Sequence, residues 1–207
     1  MVERYKMLDA LSWERLWQIL NVRYLLTWDG GYPGGKKIMV EDKVNLYELP
    51  DPLPRASVIH NATVEPKDEN ALTLLASDGF DPHKTVILAE DPELKLSGQG
   101  TKPSEATFKA LKPDRLLIET KIDSPGILLV SEVYYPGWKV KVDGKPSRIL
   151  RADVALRGVP LEPGKHLVEM TFEPDSVKIG VGVTGLTFLS AIILLVLVKV
   201  WPRKRLT

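Results

Sequence analysis

The sequence predicts a mainly β (α+β) protein: an antiparallel β-sandwich or jelly-roll-like domain with short N-terminal helices and one C-terminal transmembrane helix. Two patterns predict this class. From residue 106 to residue 172, strand-like runs alternate with turn dipeptides such as Pro-Gly and Asp-Gly, which is typical of an antiparallel sandwich. Residues 179–198 then form an uncharged apolar run that is long enough, as a helix, to cross the hydrocarbon core of a bilayer.

The turn and strand patterns divide the chain into four regions. Residues 91–104 are polar and contain glycine and proline, which is typical of a boundary or a long loop. We therefore predict an N-terminal α+β segment packing on the sandwich at 1–104, the sandwich region at 105–175, the transmembrane helix at 177–200 and a cytoplasmic basic tail at 201–207.

The N-terminal segment begins with a predicted helix. Ser12 is a candidate N-cap, and one apolar face follows at helical spacing, formed by Trp13, Leu16, Trp17 and Leu20. Two interpretations fit this face. It docks on a membrane surface, or it packs beneath the following sheet, which is the interpretation we favour.

Strands and a second helix follow in the N-terminal segment. Apolar and β-branched runs between turns predict strands at residues 22–28, 38–40, 44–48, 55–59 and 85–89. Residues 68–77 predict a short helix, because acids stand at its start and Gly79 lies just past its end.

The sandwich region has the most regular pattern. After an alternating run from residue 106, strands are predicted at residues 116–121, 127–132, 138–142, 147–150, 154–159 and 166–172. In the strand at 138–142, alternation places Trp138 and the valines on one face and the lysines on the other. Asp143 and Gly144 predict a two-residue hairpin turn, because a type I′ turn needs positive φ.

Charges beside the apolar run predict its orientation. The run is followed by Lys199, Arg203, Lys204 and Arg205 without an acid, and basic residues favour the cytoplasmic side. We therefore expect a cell-membrane protein with a cytoplasmic C-terminus and its domain outside the cytoplasm. Residues 1–16 lack the apolar stretch of a signal peptide, so we expect the C-terminal piece of a longer polytopic protein. The alternative is a tail-anchored protein whose domain is cytoplasmic.

One face of the apolar run carries small residues, namely Gly180, Thr184, Thr187 and Ala191. Such stripes let helix backbones approach closely within a bilayer. We therefore expect the helix to pack on other transmembrane helices of the same or a partner protein, in addition to contacting the lipid bilayer.

Composition excludes several functions. The chain has 28 lysines and arginines against 27 acids, a net charge of +1, so no overall field favours nucleic acid. It has no cysteine, which excludes disulfides, thiolate metal sites and cysteine nucleophiles. Its three histidines do not recur at metal-ligand spacing, so neither a metal site nor a cofactor is predicted.

Three aromatic residues flank a Pro-Gly turn and form the candidate binding site. Tyr134, Tyr135 and Trp138 carry rings of the kind that stack on the apolar faces of sugars. The alternative is that Trp138 is the core tryptophan of the sandwich and the tyrosines brace the turn.

No catalytic residue is assigned. Acids lie on predicted strands at Glu119, Glu132 and Glu169, but nothing selects a pair for glycosidase chemistry. Ser104, Ser124 and Ser131 lack the GxSxG motif of a nucleophile elbow. Whether the chain is part of an enzyme is left open.

Residues 131–174 also carry a family resemblance. The motifs PGWK, VDGK and PGKH at this spacing, followed by the apolar run, resemble the C-terminal end of the YfhO-like family of bacterial membrane proteins. Earlier segments resemble the preceding part of that family in the same order, namely NVRYLLT, VNLYELPDPLPRASVI and FDPHKTVIL. The resemblance therefore covers nearly the whole chain.

The resemblance implies a function. The family is thought to comprise polytopic, lipid-dependent glycosyltransferases of the GT-C type, which place their catalytic acid near the start of the protein. The chain would then be a non-catalytic extracytoplasmic accessory domain of a glycosyltransferase-like protein that acts on cell-envelope glycopolymers. Its partners would be a lipid-linked sugar or an envelope glycan. The alternatives are a stand-alone membrane-anchored carbohydrate-binding or protein-interaction module and, less well supported, an autonomous hydrolase.

Overall fold

The computed structural model describes residues 12–28, 31–96, 98 and 102–200. Its helices are α1 (Trp13–Ile19), α2 (Asp68–Ala76) and α3 (Asp175–Val200). Its strands are β1 (Tyr24–Trp28), β2 (Lys36–Glu41), β3 (Val44–Glu48), β4 (Ala56–Ile59), β5 (Ala62–Val64), β6 (Val86–Leu88), β7 (Ser104–Lys112), β8 (Arg115–Ile122), β9 (Gly126–Val133), β10 (Trp138–Val142), β11 (Lys145–Ser147), β12 (Leu150–Ala152), β13 (Leu156–Leu161) and β14 (Gly164–Phe172). The predicted mainly β class with helices is confirmed.

Two hydrogen-bonded layers form the sandwich. The strand order is β11-β10-β14-β8-β7-β4-β9-β13-β12-β6-β5. The first residues of β7 pair with β4 and the rest of it pairs with β8, so β7 joins the layers. Apolar side chains of β4, β9 and β13 form one buried cluster with those of β8, β10 and β14. Burying one face of each layer against the other stabilises this arrangement.

A second core lies on the opposite face of β9. Ile127 and Leu129 point there and pack with Ile19 of α1 and with Ala71 and Leu75 of α2. Strand β9 is therefore buried on both faces, which agrees with its nearly continuous apolar run. Helix α2 connects β5 to β6, which pair in parallel, so this edge of the otherwise antiparallel sheet is mixed.

Helix α1 follows one prediction and departs from another. The Ser12 hydroxyl accepts a hydrogen bond from the backbone N–H of Arg15 at 3.3 Å, which confirms the N-cap. The buried side of the helix is Leu16 and Ile19, in line with packing beneath the sheet. Trp13 and Leu20 are exposed, so the predicted four-residue face is wrong at both ends, because Ile19 and not Leu20 reaches the core.

The hairpin between β10 and β11 has the predicted geometry. Asp143 and Gly144 have φ angles of 52° and 79°, and Val142 pairs with Lys145 across the turn. The single strand predicted at residues 147–150 is wrong, because the chain leaves β11 in one layer and enters β12 in the other. The strand predicted from residue 154 starts later, since Val154 has a φ of 68° in a turn.

The N-terminal segment contributes strands to one layer of the sandwich and also forms a small sheet of its own. β4 lies between β7 and β9, so residues before 104 supply an inner strand of the sandwich. The strands β1, β3 and β2 form a separate three-stranded sheet, on which Trp28 is 75% exposed. The division of the chain at residue 104 stays a prediction.

Helix α3 leaves the sandwich directly after β14. By length and composition it is the one helix of the described residues that is suited to cross a membrane. Its small-residue stripe faces no other described element, and an added Cβ on Gly180 would meet nothing within 4 Å. Lys199 lies in its last turn. Arg203, Lys204 and Arg205 lie outside the described residues, so the orientation and the helix-packing role stay predictions.

Candidate functional site

A large opening lies beside the first residues of β10. It has a volume of about 790 Å³ and is lined by the loop from Tyr134 to Gly137, by Trp138, by residues 146–149 and by Arg157. Lys139, Lys141, Glu169, Thr171 and Glu173 complete most of its wall. We call it the Trp138 cavity.

Gly137 fixes the loop of this cavity against the chain that leads into α3. Its φ is 106°, a region that side chains other than glycine rarely adopt. A Cβ there would lie 2.9 Å from the Cβ of Pro174. The Gly137 carbonyl accepts a hydrogen bond from the Glu173 N–H at 2.7 Å. The loop is therefore held about 8 Å, measured as helical rise, from the start of the apolar run at residue 179.

The three predicted sugar-stacking residues line this one cavity. Tyr135 is 61% exposed and Tyr134 is 38% exposed, while Trp138 is half-buried and packs against the sandwich core. Phe172 packs near two of them, with ring centroids 6.2 Å from Tyr135 and 5.4 Å from Trp138. Trp138 therefore both packs on the core and lines the cavity, and sugar stacking stays a prediction.

Arg157 is a site residue that the sequence analysis missed. It is only 4% exposed, and the carbon of its guanidinium lies 3.9 Å from the centre of a Trp138 ring. Its Nε donates to the Val133 carbonyl at 2.9 Å, while its Nη1 is buried without a hydrogen-bond partner. Loss of hydration lowers the Arg157 pKa, and the negative charge of Glu132 opposes this shift.

The other charged groups of the cavity wall are mostly paired. Lys139 forms a salt bridge with Glu173 at 3.2 Å, which raises the Lys139 pKa and lowers that of Glu173. Glu169 pairs with Arg115 at 2.7 Å. Arg148 donates to the Asp91 carbonyl and pairs with Glu93. Arg157 differs from these paired groups, because no described carboxylate forms a salt bridge with it.

Comparison with known proteins finds a family match for part of the chain. Residues 92–184 match the model of the family described as bacterial membrane protein YfhO. This segment of the chain is YfhO-like. It is 23% identical over 136 residues to the "Uncharacterized protein YfhO" of Bacillus subtilis (strain 168), and this alignment covers 65% of the chain and 16% of the relative. The chain therefore spans about a sixth of the relative's length. No solved structure gives a significant match to the chain.

The resemblance seen in the sequence is confirmed by this match. The matched residues contain the whole PGWK-to-PGKH segment and the first part of α3. They also contain Tyr134, Tyr135, Trp138 and Arg157, so the YfhO-like part of the chain includes the aromatic group and the buried arginine of the Trp138 cavity.

The strand carboxylates that the sequence left open as glycosidase candidates are engaged by cations. Glu119 pairs with Lys109 at 2.8 Å and Lys165 at 2.7 Å, and these hydrogen bonds lower its pKa to about 2. Glu132 pairs with Arg55. A glycosidase needs an acid that is protonated at working pH, and Glu119 does not meet that need.

Two of the serines lie beside a buried histidine. His60 is buried, its Nε2 lies 2.8 Å from the Ser104 hydroxyl, and its Nδ1 lies 2.9 Å from the Pro125 carbonyl and 3.1 Å from the Ser124 hydroxyl. None of these residues lines the Trp138 cavity. Within the described ranges, no group of three or more histidines and acids is placed to hold a metal ion.

Proposed function

We propose that this YfhO-like domain is the non-catalytic extracytoplasmic accessory part of a polytopic, glycosyltransferase-like membrane protein. In this role it holds the sugar of a lipid-linked donor or of an envelope glycan close to the external surface of the membrane that α3 crosses. The observation that carries the proposal is the position of the Trp138 cavity, whose aromatic loop packs on Pro174, one residue before α3.

The chemistry of the wall supports a carbohydrate ligand. Aromatic rings stack on the C–H faces of sugars, and polar groups beside them bind hydroxyls. Tyr135 presents the most exposed ring. Arg157 already covers one face of Trp138, so we assign the larger share of stacking to Tyr135 and a bracing role to Trp138.

The same features support an accessory role over a catalytic one. The strand acids are held by lysines and arginines, and the histidine with neighbouring serines is buried away from the cavity. A sugar held at this place would be oriented for chemistry performed elsewhere in the protein, close to the membrane.

Binding of neutral oligosaccharides tests the proposal. We expect the chain in phosphatidylcholine nanodiscs to bind envelope oligosaccharides, and Tyr135→Ala to weaken binding by roughly three- to tenfold, which matches the loss of one aromatic contact. Tyr24→Ala is the matched control, since Tyr24 is also an exposed tyrosine but belongs to β1. Absence of binding, or equal loss in both variants, would count against the proposal.

A further inference from the structure

We propose that Arg157 is the anchor of a phosphate-type anion site in the Trp138 cavity. The ligand it would take is a phosphate monoester or diester. This inference deepens the proposed function and rests on it for the role of the cavity, because it names the charged group that accompanies the sugar.

Arg157 has hydrogen-bonding capacity that the fold does not satisfy. A guanidinium has five N–H donors, and buried polar groups are nearly always bonded. Here Nε has a protein acceptor, Nη1 has none, and the side chain is 4% exposed. A buried cation without a counter-ion destabilises the fold. An anion bound to Arg157 would remove this cost, which would favour binding.

The protein does not neutralise the Arg157 cation itself. Glu132 is the acid that acts on Arg157 through space, and its carboxylate is bonded to Arg55. The contact with Trp138 stabilises the charge from one side only. The guanidinium therefore keeps a buried Nη1 without an acceptor, in a residue that lines the cavity.

The shape of the Arg157 guanidinium favours phosphate over other anions. The planar guanidinium fork suits phosphate oxygens bidentately. Lys141 also lines the cavity and adds positive charge, whereas the charge of Lys139 is offset by its salt bridge with Glu173. The exposed ring of Tyr135 lines the same cavity, so we propose one ligand that carries both a phosphate and a sugar.

Phosphate at this position has two sources, a soluble or lipid-linked sugar phosphate and the headgroup of an anionic lipid. The experiment therefore has two arms. In the first, glucose 1-phosphate, inorganic phosphate and glucose are titrated by calorimetry into the chain in phosphatidylcholine nanodiscs. In the second, the melting temperature is compared between phosphatidylcholine and phosphatidylglycerol nanodiscs, since a ligand that binds the folded state raises it.

We expect Arg157→Met to weaken phosphate binding by about tenfold or more, which corresponds to losing a charge-assisted hydrogen-bonded contact. Arg157→Lys keeps the charge without the fork and should give an intermediate affinity. The matched control is Arg151→Met, because Arg151 is also partly buried but is bonded to Asp68 and to the Val154 carbonyl. It should bind phosphate as the wild type does.

Each result supports or overturns the anion site. Arg157-dependent binding of the soluble phosphates supports a sugar-phosphate source, and an Arg157-dependent rise in melting temperature only with phosphatidylglycerol supports a headgroup. No response of the wild type in either arm, or a response unchanged in both Arg157 variants, overturns the anion site. If neutral oligosaccharides fail to bind while phosphate binds through Arg157, the sugar-holding role falls and the anion site stands.

Discussion

His60 and Arg157 are both buried polar side chains of the sandwich, but the hydrogen-bonding groups of His60 all have partners and those of Arg157 do not all have them. Both ring nitrogens of His60 have partners within 3.1 Å. Because the Pro125 carbonyl can only accept, Nδ1 donates to it, and Nε2 lies 2.8 Å from the Ser104 hydroxyl. Arg157 has one protein acceptor and a buried Nη1 without one. A satisfied buried group specifies the fold, whereas an unsatisfied one that lines a cavity points to a ligand.

Removing the two side chains should therefore have unequal effects on stability. We expect His60→Ala to lower the free energy of unfolding by about 3 kcal/mol, because it leaves a cavity and two hydroxyls without their acceptor or donor. We expect Arg157→Met to change it by less than about 1 kcal/mol, since it replaces an unpaired buried cation by an apolar side chain of similar length. Urea unfolding of both variants measures the difference.

The comparison would be broken by one result above all. If Arg157→Met lost as much stability as His60→Ala, the arginine would be a structural group and its open Nη1 would carry no functional meaning. Arg151→Met again serves as the control, since its partners are present in the fold and its loss should fall between the two.

Asp153 sharpens the comparison as a third buried polar group. Its Oδ1 accepts from the Ile87 N–H at 2.8 Å, while its Oδ2 has no partner. It does not line the Trp138 cavity, so no ligand is expected there. Burial instead favours the protonated form of this carboxyl, because it raises the Asp153 pKa from 3.8 to about 7.

This protonation predicts a pH dependence of stability. Between pH 4 and pH 7 the folded protein keeps a proton that the unfolded chain has released, so the free energy of unfolding falls as pH rises, by up to about 1.4 kcal/mol per pH unit. Its contribution is complete below the unfolded pKa and is lost above about pH 7. Urea unfolding from pH 5 to pH 7 measures the slope.

Asp153→Asn isolates this effect. An amide keeps the acceptor for Ile87 without titrating, so the slope between pH 5 and pH 7 should become flatter. The acids whose pKa the fold lowers, among them Glu119, Asp143 and Glu173, contribute near pH 5 with the opposite sign and equally in both proteins, so the comparison with Asp153→Asn removes their share. A slope that is unchanged in Asp153→Asn would show that another group controls it.

Local features of the fold could be predicted, and features set by packing could not. The alternation at 138–142 and the Asp143-Gly144 turn depend on neighbouring residues, and the structure agrees with both. The break between β11 and β12 depends on which strands pair across the two layers. No residue between Ser147 and Leu150 indicates that crossing. The sequence pattern therefore predicts one strand where the structure has two.

The candidate site shows the same limit. Tyr134, Tyr135 and Trp138 were found together because they are close in sequence. Arg157 comes from β13 and meets Trp138 of β10 across the sandwich, which no sequence spacing indicates. The available signal was its alternation with Val159 and Leu161, two residues of the sandwich core, which would have marked Arg157 as a cation on an inward face.

The proposed function requires the domain to lie outside the cytoplasm, and labelling of one introduced cysteine tests this most directly. The chain has no cysteine, so Lys145→Cys, on an exposed strand after the β10–β11 turn, gives a unique thiol. In bacterial cells that produce the protein, we predict that a membrane-impermeant maleimide labels this thiol in intact cells. Labelling only after lysis would place the Trp138 cavity on the cytoplasmic side and contradict the account.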